Sequence, residues 1–420
     1  MNFIRTSTYS AASTTVSLVV KLITNKIIAV YLGTNGMFLI GQLKDFLKIG
    51  NTLGTLGIET GTVKYSSELN TKEDEFKDLL STSFKIHLYT SFIIIALILF
   101  SYSYLNLYLT IEFSETNNYL FKYVLCFSIL CFSIQVFIMS ILNGLKKIKI
   151  FVLINIFATI ISGGILIFLV INYLTIGAYY ALMLSPIITL FTALIICFLF
   201  KPFKLNFLDS IFKIKHFKNL SKFSLMAIIA PICLIAATFI IRYYIYDKFD
   251  SNFAGSWEAM WRISAIYLLF LTTTFKFYLV PTFSTLKENG LKKEVFKIWK
   301  TTFPIIVIIT SGVYISKDLL INLLFTDEFV LINSLILFHL LGDIVKINCW
   351  VLGNILVAKA KTTDFILFQI EWSIVFVFLS VILTSIYGFV GLSIAYFTTY
   401  IIHFLLLNIY FRKLLWVDKI

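Results

Sequence analysis

Nine basic residues stand inside stretches that are otherwise apolar: Lys21, Lys26, Lys44, Lys48, Lys85, Arg242, Arg262, Lys276 and Lys346. Four acids, Asp45, Glu258, Asp343 and Glu371, share those stretches. A charge at the centre of a bilayer costs about 2.5–3.5 kcal/mol on the insertion scale, so such residues persist where they meet water, a counter-ion or an anionic ligand. Lys85 and Lys276 lie near enough to span ends to snorkel. Lys44 and Lys48 are i,i+4 and project from one side of a helix. Glu258 and Arg262 are i,i+4 with the acid first, and Asp343 and Lys346 are i,i+3, so these acids can equally neutralise their own bases.

The excess of bases over acids makes the apolar interior cationic. A cationic, hydrated cavity repels organic cations and suits an anion. The membrane-borne anion that needs such a route is a lipid with a phosphate or pyrophosphate head, held in the cavity while its tails stay in lipid. Arginine offers such a head bidentate contacts, and lysine a mobile point charge. The candidate substrate-binding residues are therefore Lys21, Lys26, Lys44, Lys48, Arg242, Arg262 and Lys346, with Asp45 and Asp343 as candidates for proton or ion coupling. No P-loop, HExxH or Ser-His-Asp set is present, and the four histidines are scattered. The five cysteines all sit in apolar runs without metal-ligand spacing. No enzymatic chemistry, metal or cofactor is expected.

The elements that must position these charges follow from composition. Of 420 residues, 59% are hydrophobic and 14% charged, and the mean hydropathy is +0.92. A soluble domain averages about 25% charged residues; this chain needs lipid as its solvent. An all-α polytopic membrane protein is expected. Apolar runs of about 20 residues place twelve spans at 8–32, 36–58, 79–104, 119–141, 151–173, 178–200, 223–246, 257–283, 301–323, 331–356, 364–386 and 391–411. With the N-terminus inside, 23 of the 35 basic residues fall on the cytoplasmic side and three, Lys122, Lys248 and Lys317, on the other. That bias sets both termini in the cytoplasm.

Two six-helix lobes around a central cationic cavity are expected, 1–205 and 223–420, joined by a cytoplasmic linker, 206–222. In the linker Phe207, Ile211 and Ile214 share one helical face, with Lys204, Asp209, Lys213 and His216 largely elsewhere, as in an interfacial amphipathic helix or a solvated connection. Shifts of about 216 to 218 residues lay Lys26 on Arg242 and Lys44 on Arg262, which suggests a parallel repeat. Gly50, Gly54, Gly57 and Gly61 form a small-residue series suited to close packing or bending.

Five stretches carry a family resemblance: AASTTVSLVVKLITNKIIAVYLGTNGMFLIGQLKDF (11–46), GIETGTVKY (57–65), KFSLMAI (222–228), YLVPTFSTL (278–286) and LGDIVKI (341–347). Their ordered set resembles the Wzx-type polysaccharide flippases, of the O-antigen translocase and enterobacterial common antigen lipid III flippase kind, within the multidrug/oligosaccharidyl-lipid/polysaccharide exporter superfamily. The resemblance implies two six-helix lobes in a V. It implies transfer of an undecaprenyl-pyrophosphate-linked oligosaccharide, such as an O-antigen repeat unit, to the periplasmic leaflet of the bacterial inner membrane by alternating access. Membrane lipids, a polysaccharide polymerase and a chain-length regulator would be its partners, and nucleic acid would not. Two other readings stay open. One is a drug or metabolite exporter on the same fold, which wants an acidic, aromatic cavity. The other is a membrane-embedded polymerase or glycosyltransferase, which wants a large external loop.

Overall fold

The computed structural model describes residues 3–69, 73–108, 115–202, 210–221 and 224–417, and all of the secondary structure among them is helical. Helices are what a chain this apolar must form, because lipid offers no partner to an unpaired backbone group. Among the described residues eight stretches are long and apolar enough to cross a membrane; the protein is a multi-pass membrane protein. The chain divides into two compact units, Met1–Leu32 with Leu39–Pro231, and Gly33–Phe38 with Ile232–Ile420.

In the first unit α1 runs Phe3–Gly54, interrupted at Gly33, whose φ of 61° and ψ of −162° suit glycine alone. After α2 (Glu59–Leu69) come α3 (Glu73–Tyr108) and α4 (Glu115–Gly144). The 53-residue α5 (Ile148–Phe200) is broken at Leu174, with φ 49° and ψ −131°. Both breaks sit at junctions between expected spans. The end of α1 packs tightly on α4: a Cβ added at Gly50 would meet the Ile129 side chain at 3.2 Å, so this part of the glycine series serves close packing. The carbonyl of Gly54, orphaned by the helix end, accepts hydrogen bonds from Thr90 at 2.5 Å and Ser133 at 3.0 Å.

Residues 203–209, 222 and 223, which carry Lys204, Phe207, Asp209 and Lys222, lie outside the described residues. From Ser210 onward the segment is bonded onto α3: Ser81 donates to the Ser210 carbonyl at 2.7 Å, Lys85 to the same carbonyl at 2.9 Å, and Thr82 accepts from the Lys213 amide at 3.0 Å. Helix α6 (Ile214–Ser221) then buries His216 and Leu220, one turn apart, while Ile211 and Ile214 are exposed. The expected polar position of His216 is thus corrected. Leu220 joins Ile58, Leu79 and Ile86 in a small core, and its i,i+4 partner His216 is carried inward with it.

Helix α7 (Ser224–Lys248) contains Pro231 and leads into the second unit. There α8 (Ser251–Tyr267) starts at Asp250, whose carboxylate accepts from the Asn252 and Phe253 amides, a standard N-cap. The expected span 257–283 falls on α8 and α9 (Leu269–Thr285), which meet at Leu268; that residue keeps helical dihedrals, and its amide and carbonyl bond Ser264 and Thr272 across the junction. Almost all of α8 from Ala254 to Ser264 is buried, so Glu258 and Arg262 require partners within the protein. Gly255 lets the backbone of Thr34 approach α8 more closely than any Cβ would allow. Thr34 donates its hydroxyl to Asn252, and Phe38 stacks on Tyr246 at 4.8 Å, so residues 33–38 belong with this unit. Then follow α10 (Glu288–Ile315), α11 (Lys317–Leu324), α12 (Ile332–Ala358), α13 (Thr362–Tyr387), α14 (Gly391–Tyr410) and α15 (Arg412–Leu415). The expected span 301–323 covers the end of α10 and α11, with i→i−4 bonds from Ser316 to Gly312 and from Leu320 to Ser316 across their junction, and α13 and α14 are separated by a 3-10 turn entered through Gly388, φ 63°.

Candidate functional site

The candidate charges fall into two groups. Helix α1 carries Lys21, Lys26, Lys44, Asp45 and Lys48. Lys26, Lys44 and Asp45 are half-buried and each is engaged with another group. Lys21 and Lys48 are exposed, and neither forms an ion pair with a described residue. Lys48 lies six residues before the end of α1 at Gly54, about 9 Å along the axis, close enough to an end to snorkel. Lys21 is different. Twelve residues separate it from the Gly33 break, about 18 Å, so it stands exposed in mid-span.

In the second unit, by contrast, every candidate base is buried against a carboxylate. Arg242 on α7 donates through Nη2 to Glu258 Oε2 at 2.8 Å, and Arg262 donates through Nε to Glu258 Oε1 at 3.2 Å. One carboxylate thus serves guanidiniums from two helices. The Arg242 guanidinium also lies 5.8 Å from the Trp257 ring centroid.

Asp343 and Lys346 form the other centre. Asp343 Oδ2 accepts from Ser264 and Tyr267 of α8, and Oδ1 accepts from Tyr396 of α14 at 2.7 Å. Lys346 Nζ lies 3.5 Å from Oδ1 and donates to the Tyr396 hydroxyl at 2.9 Å. Trp261, Trp350, Tyr396 and Tyr400 surround that ammonium at 5.1 to 5.9 Å from their centroids, within cation–π range. His339 stacks on Tyr396 at 4.2 Å and 7°. Four donors on one carboxylate and four rings around one ammonium engage both charges of the pair within the protein. Such a centre fixes α8, α12 and α14 together.

The spacing expected Glu258–Arg262 and Asp343–Lys346 as neighbours, and both pairs meet. Sequence reasoning missed Ser264, Tyr267, Tyr396 and the aromatic box, as well as a half-buried contact of 2.7 Å between His403 Nδ1 and Glu371 Oε2. Only the i,i+3 pair Ser264–Tyr267 carries any local signal; the remaining partners are brought together by tertiary packing. Among the described residues no group of three or more His, Cys, Asp or Glu could hold a metal. The side chain of Lys276 lies outside the described residues.

This is the helical fold of a membrane transporter. An inward-facing multidrug resistance MATE family transporter of the MOP superfamily superposes with a TM-score of 0.75, at 14% identity, over 94% of this chain and 95% of its own. The lipid II flippase MurJ in an inward closed conformation superposes with a TM-score of 0.69, at 19% identity, over 96% of this chain and 87% of its own. Within that fold the sequence is more particular. Residues 37–333 match the family described as "Polysaccharide biosynthesis protein", and the chain belongs to that family. It is 26% identical over 408 residues to the lipid III flippase of Escherichia coli (strain K12), covering 96% of this chain and 97% of that protein, and equally so to the lipid III flippase of Shigella flexneri.

Proposed function

We propose that this protein is a flippase that carries a polyprenyl-pyrophosphate-linked oligosaccharide, an O-antigen or similar surface-polysaccharide repeat unit, from the cytoplasmic to the periplasmic leaflet of the bacterial inner membrane. The end-to-end likeness to two lipid III flippases supports the class of cargo. The observation that carries the chemistry is the exposure of Lys21 in mid-span. A lysine facing hydrocarbon at that depth is costly, so it faces a hydrated path. An anionic head group is the ligand such a path selects.

Twelve crossings in two six-helix lobes, 1–205 and 223–420, with linker 206–222 and both termini cytoplasmic, fit the breaks at Gly33, Leu174 and Gly388 and the lysine-rich side. The lobes alternate access. The pyrophosphate is held by Lys21 first, with Lys26, Lys44 and Lys48 of α1 beside its path. Arg242, Arg262 and Lys346 contribute positive potential and architecture more than direct contacts. Asp45 remains the candidate coupling acid; Asp343, with four donors, is held in place. Bound substrate drives the switch only as far as it prefers one state over the other. A polysaccharide polymerase and a chain-length regulator receive the product.

The test is removal of the protein from its native cell. Lipid-linked oligosaccharide should accumulate with its sugars on the cytoplasmic face, and wild type but not Lys21→Gln should clear it. A deletion strain with normal periplasmic display of the glycan would overturn the reading. Loss of drug resistance with normal display would favour a multidrug exporter on the same fold.

A further inference from the structure

The lysines of α10 count, in the orientation proposed above, among those that merely orient the chain. The structure gives three of them a second part. Lys293, Lys297 and Lys300 recur at i, i+4 and i+7, and all three are exposed on one face of α10. The same face continues through Pro304, Ile308, Ser311 and Ile315, every one of them exposed. Alongside it, between α10, α12 and α14, runs a cavity of about 560 Å³ in which Lys300 and Asn348 are the only lining residues without an apolar or aromatic side chain. A second cavity of about 320 Å³, between α10 and α12, continues it, and Ile344 lines both. The one threonine in that second cavity, Thr310, turns its hydroxyl back onto the Ile306 carbonyl at 2.8 Å.

From Lys300 to Ile315 the groove extends about 22 Å, most of the roughly 30 Å hydrocarbon thickness. It is a long apolar channel in the second unit with three lysines at one end, the middle one, Lys297, standing 3.6 Å from the Glu294 carboxylate. Bulk lipid would wet any such groove. A pyrophosphate, with more than one negative charge and several acceptor oxygens, matches the lysine-rich end better than a phospholipid head with a single charge.

We infer that the α10–α12–α14 groove seats the isoprenoid chain of the lipid-linked substrate, with Lys293, Lys297 and Lys300 gathering its pyrophosphate at the cytoplasmic end. The inference rests on the flippase reading and extends it. It separates a docking position for the carrier lipid from the path over which the head group crosses.

The test uses full-length protein in phosphatidylcholine vesicles with undecaprenyl pyrophosphate bearing a photoreactive diazirine near its chain end. Adducts are expected on α10 between Phe303 and Ile315 and on α12 between Leu337 and Ile344. Lys293→Gln/Lys297→Gln/Lys300→Gln should lower labelling roughly tenfold or more, since each juxtamembrane lysine contributes comparably to holding an anionic head. Leu405→Trp, at an exposed wall position tolerant of bulk, should narrow the groove and reduce labelling without touching a charge. Unlabelled undecaprenyl pyrophosphate should compete, and phosphatidylglycerol at equal concentration should not. Labelling unchanged in the lysine variant, or cleared equally well by phosphatidylglycerol, overturns the inference. Transport measured in the same vesicles keeps the two readings apart: no protein-dependent transport in wild type defeats the flippase reading, while normal transport with unaltered labelling in both variants defeats the groove alone.

Discussion

Lys346 and Asp343 stand 3.5 Å apart, one turn apart on α12, and the Tyr396 hydroxyl bonds to both. The pair spends its charge inside the protein. A lysine enclosed by a carboxylate, a phenol and four rings has little left to offer a substrate. This relationship sets the paired bases of the second unit apart from Lys21 and Lys48 of α1, which are exposed.

Asp343→Ala should therefore behave as a stability mutation. Removing one partner of a buried pair costs about 3–5 kcal/mol, largely because the other charge is stranded. Thermal unfolding of the detergent-solubilised protein should show the loss, and Asp343→Leu/Lys346→Met should recover most of it. An Asp343→Ala protein that unfolds like wild type yet fails to transport would instead make Asp343 a coupling group.

Glu258 offers a parallel case with an asymmetry. It accepts from both Arg242 and Arg262, so Glu258→Gln weakens two charge-assisted bonds and leaves two guanidiniums facing each other. Its loss of thermal stability should exceed that of Arg242→Met or Arg262→Met taken singly. Equal losses in all three variants would contradict the shared-carboxylate arrangement.

The sequence-based reading located these charges better than it assigned their roles. Spacing on a single helix predicts neighbours at i,i+3 and i,i+4, so Glu258–Arg262 and Asp343–Lys346 were legible. The breaks at Gly33 and Leu174 fall beside expected span edges for a similar reason: turns between apolar runs leave a local mark. What had no local mark was the meeting of Arg242 with Glu258 across a loop, or of Tyr396 with Asp343 across 53 residues. Such meetings decide whether an intramembrane base is satisfied or available. The same limit misplaced His216, whose helical face was legible but not the neighbour on which that face packs. It also hid the groove, which three helices build from residues more than 100 positions apart.

His216 lies outside the membrane-spanning segments, and its burial pushes its pKa below the ordinary 6.5, reinforced by Lys215 and Lys213 and opposed by Asp78 and Glu75. The folded state therefore resists protonation that the unfolded segment accepts. The stability contributed by neutral His216 is present above pH 6.5 and is lost as pH falls from there toward the lowered folded value. Amide exchange in Ile214–Ser221 should accelerate, relative to α3, on acidification through this window, and His216→Gln should flatten the response. An α6 exchange rate that tracks α3 at every pH would contradict it.

Lys21→Gln is expected to leave folding intact, because its side chain is exposed and forms no ion pair with a described residue. It should nonetheless slow transport by roughly tenfold or more, the worth of one charge-assisted hydrogen bond. Membrane abundance and unfolding temperature check the first half. Lys21→Arg should retain most activity if charge at that depth is what matters.

The central claim is that an anionic lipid-linked glycan crosses the bilayer along a path attended by Lys21. The most direct measurement is made in vesicles loaded with a polyprenyl-pyrophosphate-linked oligosaccharide, following the appearance of glycan to an impermeant lectin outside. Wild-type protein should expose the glycan at a rate that empty vesicles do not show, and Lys21→Gln should bring that rate close to the empty-vesicle baseline while Lys21→Arg does not. Equal rates for wild type and Lys21→Gln would contradict the account.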